Sequence, residues 1–102
     1  WLKKVEMLLR ERFSENLSLT ELAEFVNIHP IHLAQTFRKI HQTTIGQFLR
    51  QIRLENAQQQ LVKSHKSLAE IALENGFSDQ SHFSRLFKQK FGVTPSQYRQ
   101  HY

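Results

Sequence analysis

The chain has 102 residues, which is enough for one compact domain and too few for two ordinary ones. It contains no cysteine, which excludes disulfides, thiolate metal sites and a cysteine nucleophile, and which favours the reducing cytoplasm. A net charge of +5 and a pI of about 9.9 point to nucleic acid or an acidic membrane surface as the partner.

The composition predicts an all-α domain. Hydrophobic residues make up 39% of the chain, enough for a buried core, and only three glycines and two prolines interrupt helical segments. No apolar run approaches the roughly 20 residues of a membrane span, and no signal-peptide pattern opens the chain. The first residue is Trp1 rather than methionine, so we expect this sequence to be part of a longer protein.

The first predicted helix-turn-helix unit covers about 18–42. Ser18 and Glu21 match a capping box, in which the serine accepts from the third helical N–H and the glutamate reaches back. Pro30 then begins a second helix, because proline suits the first helical position. The apolar residues at helical spacing are Leu19, Leu22, Ala23 and Val26 before the turn and Leu33, Phe37 and Ile40 after it.

A long linker helix is predicted over about 44–64. Thr44 is placed to cap it, and Gly46 is the only glycine or proline in its interior. The residues expected to face inward are Phe48, Leu49, Ile52 and Leu61.

The second predicted unit covers about 67–92. Ser67 and Glu70 repeat the capping-box pattern. Gly76 is suited to the left-handed residue of a turn, and either Ser78 or Asp79 can cap the following helix. The apolar residues at helical spacing are Leu68, Ile71 and Ala72 before the turn and Phe83, Leu86, Phe87 and Phe91 after it, and the three phenylalanines are expected in the core. A C-terminal helix is expected over about 95–101.

The two units are related by an internal repeat. The segment Ser-Leu-Thr-Glu-Leu-Ala-Glu that begins at position 18 aligns with Ser-Leu-Ala-Glu-Ile-Ala-Leu at position 67. The pairs further along are Phe37 with Phe87, Gln42 with Gly92, Thr44 with Thr94 and Phe48 with Tyr98. The alignment slips by one residue within the turn, where an insertion is tolerated. A duplicated helix-turn-helix unit explains these matches better than chance.

The faces opposite the predicted core carry polar and cationic side chains. All nine acids lie outside the windows 25–54 and 80–102, so most of each second helix lies in a segment without carboxylates. The spacing i, i+4, i+7 places Ile31, Gln35 and Arg38 outward, with His32 and Lys39 beside them. The corresponding residues of the second unit are Ser81, Arg85 and Lys88, flanked by Gln80 and His82.

These residue types suit contact with DNA. Glutamine and arginine make bidentate hydrogen bonds to adenine and guanine edges in the major groove, whereas lysine and serine suit phosphates. Ile31 could pack against a thymine methyl group or be partly buried. An ordinary solvated surface is the alternative interpretation.

The length of the linker helix would allow the two units to contact successive major-groove faces of one DNA duplex. At about 1.5 Å per residue, a helix of roughly 20 residues spans about 30 Å, close to the roughly 34 Å between successive major-groove faces. A monomer is therefore expected to read two adjacent turns, at a directly repeated or asymmetric site.

The stretch SLAEIALENGFSDQSHFSRLFKQKFGVTPSQYR at 67–99 closely resembles the AraC/XylS family of bacterial transcription regulators. The first unit and the linker positions Arg53, Leu54, Ala57 and Leu61 match the family more loosely, so the resemblance covers about 18–99. It implies seven helices, the fourth of which links two DNA-reading helices that enter adjacent major grooves. Gln42 stands where many members have glycine, and Ile31 and Ala34 are less polar than in many members.

The resemblance also implies roles for individual residues. The implied base-reading residues are Ile31, His32 and Gln35 in the first unit and Gln80, Ser81, His82 and Arg85 in the second. The implied phosphate-binding residues are Arg38, Lys39, Ser84 and Lys88. Family members tend to activate transcription with RNA polymerase as a partner, and they usually attach this domain to a separate sensor or dimerisation domain. The expected partner is double-stranded DNA in the bacterial nucleoid, and no cofactor is expected.

Other functions are less compatible with the sequence. Six histidines are present, but His29 and His32 lack a cysteine or nearby acid to complete a zinc site. No phosphate loop, nucleophile elbow or pair of catalytic carboxylates is recognisable, so no enzymatic activity is expected. The alternatives are a helical module that binds an acidic protein, a membrane-surface helix and an RNA-binding domain. The inward apolar stripes disfavour the membrane, and the narrow major groove of A-form RNA disfavours the last.

Overall fold

A computed structural model describes all 102 residues and contains seven α-helices and no β-strand. The helices are α1 Leu2–Glu11, α2 Leu19–Val26, α3 Pro30–His41, α4 Ile45–Lys63, α5 Leu68–Glu74, α6 Gln80–Phe91 and α7 Pro95–His101. The expected all-α fold with two helix-turn-helix units is confirmed. No helix combines the length and the apolar character that crossing a membrane requires.

The chain divides into two compact units, Trp1–Ile52 and Arg53–Tyr102, and the boundary falls inside α4. The core of the first unit consists of Val5, Leu9, Leu22, Ala23, Leu33, Phe37 and Ile52. The core of the second consists of Leu54, Ala57, Leu61, Ile71, Ala72, Phe77, Phe83 and Phe87. Each unit therefore has its own apolar core. The first is built from α1, α2, α3 and the start of α4, and the second from the rest of α4 together with α5, α6 and α7.

The duplication extends beyond the aligned segments. In α1, Leu2, Val5 and Leu9 face the core at i, i+3, i+7, and Leu54, Ala57 and Leu61 of α4 repeat this spacing. The end of α4 therefore serves the second unit as α1 serves the first. The resemblance implied seven helices, but no residues were assigned to α1, although the apolar period from Leu2 to Leu9 could have revealed it.

An aromatic cluster is also repeated. In the first unit the Phe37 ring centroid lies 4.4 Å from that of His41 and 5.3 Å from that of Phe48. In the second unit the corresponding distances, from Phe87 to Phe91 and Tyr98, are 4.5 and 5.6 Å. Thr44 and Gln47 exchange capping hydrogen bonds at the start of α4, as Thr94 and Gln97 do at α7. The start of α4 thus completes the first unit as α7 completes the second.

Several local expectations need correction. Ile40, expected in the apolar stripe of α3, is 60% exposed, whereas Leu33 and Phe37 of the same stripe are fully buried. Ser67 accepts from the backbone of Glu70, but the Glu70 carboxylate bonds the Ser67 hydroxyl instead of the Ser67 N–H, so this box is half formed. The reciprocal box of Ser18 and Glu21 is confirmed, and Asp79 rather than Ser78 caps α6.

A buried amide holds α5 against α4 in the second unit. The Asn75 side chain is fully buried and donates to Gln60 Oε1 at 2.6 Å and to the Ile71 carbonyl at 2.7 Å. Its Oδ1 accepts from Asn56 Nδ2 at 2.6 Å. Gln60 in turn donates to Glu74, and the hydrogen bonds from Lys66 and Gln60 lower the pKa of the Glu74 carboxyl group. A polar network therefore runs from the core to the surface.

Replacing Gln42 by glycine is expected to raise the free energy of unfolding by about 0.5–1 kcal/mol, because a side chain in the left-handed region is strained there. Gln42 ends α3 with φ of 57°, whereas the equivalent residue after α6 is Gly92 with φ of 81°. Urea denaturation of the Gln42→Gly and Gly92→Gln variants provides a matched test, with opposite signs expected. A lower or unchanged unfolding midpoint for Gln42→Gly would contradict this account.

Candidate nucleic-acid interface

The turn of the first unit fixes where α3 begins. Asn27 ends α2 in the left-handed conformation, with φ of 55°. His29 then caps α3, since its Nδ1 accepts from the Ile31 N–H at 3.2 Å, and Pro30 occupies the first helical position. These local signals orient α3 so that Leu33 and Phe37 enter the core.

The opposite face of α3 is open to solvent. Ile31 is 61% exposed, which rules out the partial burial that its apolar side chain had suggested as an alternative. Gln35 and Arg38 continue the same strip at i+4 and i+7, and both are exposed. The neighbouring Lys39 is exposed too. The five candidates on this helix, Ile31, His32, Gln35, Arg38 and Lys39, are therefore all at the surface.

A residue that sequence reasoning missed contacts this strip. The Trp1 ring centroid lies 5.9 Å from that of His32, with the rings tilted by 51°. Trp1 precedes α1, and the repeat aligns it with Arg53. No sequence signal joined Trp1 to His32, because their contact depends on how α1 packs against α3.

The turn of the second unit combines a left-handed glycine with a half-buried arginine. Gly76 has φ of 84°, as expected, and a Cβ atom there would lie 2.9 Å from the Arg53 guanidinium. Burial lowers the pKa of Arg53. The positive φ favours glycine, and a Cβ atom would require the Arg53 guanidinium to move. The turn then leads to Asp79, whose Oδ1 accepts from the His82 N–H at 2.7 Å.

On α6, Phe83 and Phe87 are fully buried and the opposite face carries the candidates. Gln80, Ser81, Arg85 and Lys88 are exposed, whereas His82 and Ser84 are half-buried. The His82 ring lies 5.8 Å from the Phe77 ring, and its Nδ1 is 3.4 Å from Ser78 Oγ. His82 is thus held in place by contacts within the chain, whereas the neighbouring side chains of α6 that face outward are exposed to solvent.

The cations of these helices are available to an external anion. Arg38, Lys39, Arg85 and Lys88 take part in no ion pair, in contrast to Arg12, which pairs with Glu15, and Lys66, which pairs with Glu74. Arg99, in the same acid-free window, instead donates to the carbonyls of Leu61, Ser64 and Lys66. The cationic windows of the sequence therefore contain both surface charges and structural arginines.

No group of three or more histidine, cysteine, aspartate or glutamate side chains lies close enough to share a metal ion. The arrangement of the exposed strips is suited to binding a polyanion, because each combines hydrogen-bonding amides or hydroxyls with uncompensated cations.

A protein-family model described as a helix-turn-helix domain matches residues 22–101. A transcriptional regulator from Chromobacterium violaceum, described as one of the AraC-type DNA-binding domain-containing proteins, is 29% identical and has a TM-score of 0.91. That similarity covers 97% of this chain and 88% of the other. This chain belongs to the AraC-type helix-turn-helix family. It is a DNA-binding domain of the kind found in transcriptional regulators, so the resemblance inferred from its sequence is confirmed.

Two further similarities bear on function. The DNA-binding domain of the global transcriptional factor AdpA, solved in complex with a target DNA, is 25% identical with a TM-score of 0.89, covering 97% of this chain and 89% of that chain. The bifunctional transcriptional activator/DNA repair enzyme AdaA of Bacillus subtilis is 32% identical over 100 residues, or 98% of this chain. This chain spans only 47% of the length of AdaA.

Proposed function

We propose that α3 and α6 each enter the major groove of double-stranded DNA and read base edges, so that one chain recognises two successive segments of a site. The observation that carries this proposal is the pair of exposed strips, Ile31, Gln35 and Arg38 on α3 and Ser81, Arg85 and Lys88 on α6, opposite buried aromatic faces. The similarity to AdpA, which was solved with its target DNA, supports the same role.

Base reading is assigned to side chains in the first half of each helix. Gln35 and Gln80 can pair with adenine, Arg85 with guanine, and Ile31 with a thymine methyl group. Ser81, His32 and His82 complete the base-reading set. The phosphate-binding set consists of Arg38, Lys39, Ser84 and Lys88, and it holds each helix in register on the duplex.

The wider role proposed for the regulator is activation of transcription through contact with RNA polymerase. AdaA is described as a transcriptional activator, and this chain matches less than half of its length. We further propose that a sensor or dimerisation domain accompanies this DNA-binding domain in the whole protein.

The test is selection of bound duplexes from a random pool with the isolated chain, followed by footprinting of the enriched site. Two protected segments about one helical turn apart, bound by a monomer, are expected. If no sequence is enriched and binding is only salt-sensitive, base reading by this chain is wrong. If the chain prefers an acidic protein to any duplex, the proposal as a whole fails.

Replacing Lys88 by alanine is expected to weaken binding to all duplexes alike. One lost phosphate contact should reduce the slope of log affinity against log salt by about 0.9. Affinity measured across a salt series on the selected and a scrambled duplex checks this result. Lys63→Ala is the matched control, because Lys63 is an exposed lysine at the end of α4 and outside both strips. A loss of affinity for the selected duplex without a loss of affinity for the scrambled one would contradict a phosphate role for Lys88.

A further inference from the structure

The first unit contains a cavity of about 520 Å³ where the start of α2, the middle of α3 and the start of α4 meet. This volume lies within the range of roughly 300–1,000 Å³ typical of small-molecule sites. The residues that form its walls are Leu17, Leu19, Leu22, Ala34, Gln35, Arg38, Thr44, Ile45, Gly46 and Leu49. The cavity therefore borders the exposed strip of α3.

The walls combine an apolar surface with one charge. Arg38 is the only charged residue among them, and its guanidinium has no hydrogen-bond or ion-pair partner in the chain. The Gln35 side chain is likewise without a hydrogen bond, whereas the Thr44 hydroxyl already accepts from the Gln47 N–H. The cavity thus offers an apolar volume with a free cation and a free amide at one side.

The internal repeat indicates that the cavity is not required by the helix-turn-helix architecture. Leu17, Gly46 and Leu49 of the first unit align with Lys66, Ser96 and Arg99 of the second. There the Arg99 guanidinium donates to three carbonyl oxygens, at distances of 2.7 to 3.4 Å. The first unit replaces this polar anchor with leucine and glycine, which leaves an apolar space beside Arg38.

We propose that this cavity binds a small amphipathic anion, an apolar ring or chain that carries one carboxylate, sulfonate or phosphate group. The apolar part packs against Leu22 and Leu49, and the anionic group binds Arg38, whose guanidinium matches such oxygens in a bidentate manner. A bound anion occupies Gln35 and Arg38, so it excludes DNA from α3. This exclusion, but not the binding itself, rests on the proposed function.

Binding is tested on the DNA-free chain with two fluorescent probes, anilinonaphthalene sulfonate and its neutral analogue N-phenylnaphthylamine. We expect saturable binding of one sulfonate probe per chain. Methyl NMR spectra should then change at Leu17, Leu22, Ile45 and Leu49. Shifts scattered over both units, or no saturable binding, would overturn the proposal.

Two variants with matched controls separate this site from general dye adsorption. Gly46→Leu fills the cavity and should lower probe affinity by about tenfold or more. It is expected to fold, because a Cβ atom at Gly46 meets nothing closer than Thr44 Oγ1 at 3.9 Å and leucine favours helix. Arg38→Gln should weaken the sulfonate probe by about tenfold and leave the neutral analogue unchanged. Ser96→Leu and Lys88→Gln, the equivalent changes in the second unit, should leave the binding of both probes unchanged.

Competition with DNA distinguishes the two proposals. Saturating sulfonate probe should lower affinity for the selected duplex, and Gly46→Leu should make DNA binding resistant to the probe. If the probe binds the cavity without displacing DNA, contact of Gln35 and Arg38 with DNA is wrong and the cavity stands. If Gly46→Leu does not change probe binding, the cavity proposal is wrong and DNA reading by α3 is unaffected.

Discussion

Replacing Arg85 by alanine is expected to reduce affinity for the selected duplex by about 1–3 kcal/mol and to relax the preference at one base pair. Arg85 lies on the exposed strip of α6, between Ser81 and Lys88, and has no ion-pair partner that would hold it away from a ligand. Its bidentate contact with a guanine would be lost, whereas a random duplex offers no such contact to lose. The loss should therefore be much smaller on random DNA.

Affinities of the Arg85→Ala variant for the selected duplex, for all single-base variants of that site and for random DNA provide the measurement. Arg85→Lys is the informative second variant, because lysine keeps the charge and lacks the planar fork. The Arg85→Lys variant should retain affinity for random DNA and lose the ability to discriminate between base pairs at that position. The thermal midpoint should remain that of the unaltered chain, since Arg85 is exposed. Equal losses on selected and random duplexes for Arg85→Ala would contradict base reading.

The features of the fold that the sequence predicts are those set by local chemistry and helical period. Phe37, Phe83 and Phe87 were expected in the core and are fully buried. The Ser18 capping box and the left-handed Gly76 follow from neighbouring residues alone, and both are present. Period and capping act within one or two helical turns, so one sequence is enough to detect them.

The features that the sequence could not predict depend on contacts between distant segments. Arg99 lies in the acid-free window 80–102, yet its guanidinium donates to carbonyl groups 33 to 38 residues away. Arg53 lies in the other acid-free window and matches the family's linker pattern, but neither observation predicts that it packs against Gly76. Charge counting cannot separate such structural arginines from surface ones, because burial is set by tertiary packing. The helical period predicted that both strips are exposed, as they are, whereas the contact of Trp1 with His32 and the cavity described above depend on packing.

Replacing Asn75 by alanine is expected to lower the free energy of unfolding by about 2–4 kcal/mol, because it removes the three hydrogen bonds of a buried amide and leaves a void in its place. Asn56 Nδ2 would lose its acceptor and Gln60 Oε1 would lose its donor, each from a bond of 2.6 Å. These partners lie 19 and 15 residues before Asn75. The polar residue therefore occupies a core position that helical period alone would assign to an apolar one. Urea denaturation gives the measurement.

A double-mutant cycle separates this network from a simple loss of volume. Asn56→Ala should cost less than Asn75→Ala, because Asn56 is only half-buried, and the double variant should cost less than the sum of the two by at least about 0.5 kcal/mol. Gln59→Ala, an exposed change on α4, is the control and should stay within about 0.5 kcal/mol of the unaltered chain. Strict additivity of the Asn56 and Asn75 changes would mean that the two amides do not support each other. In that case α5 is held on α4 by its apolar residues Ile71 and Ala72 alone.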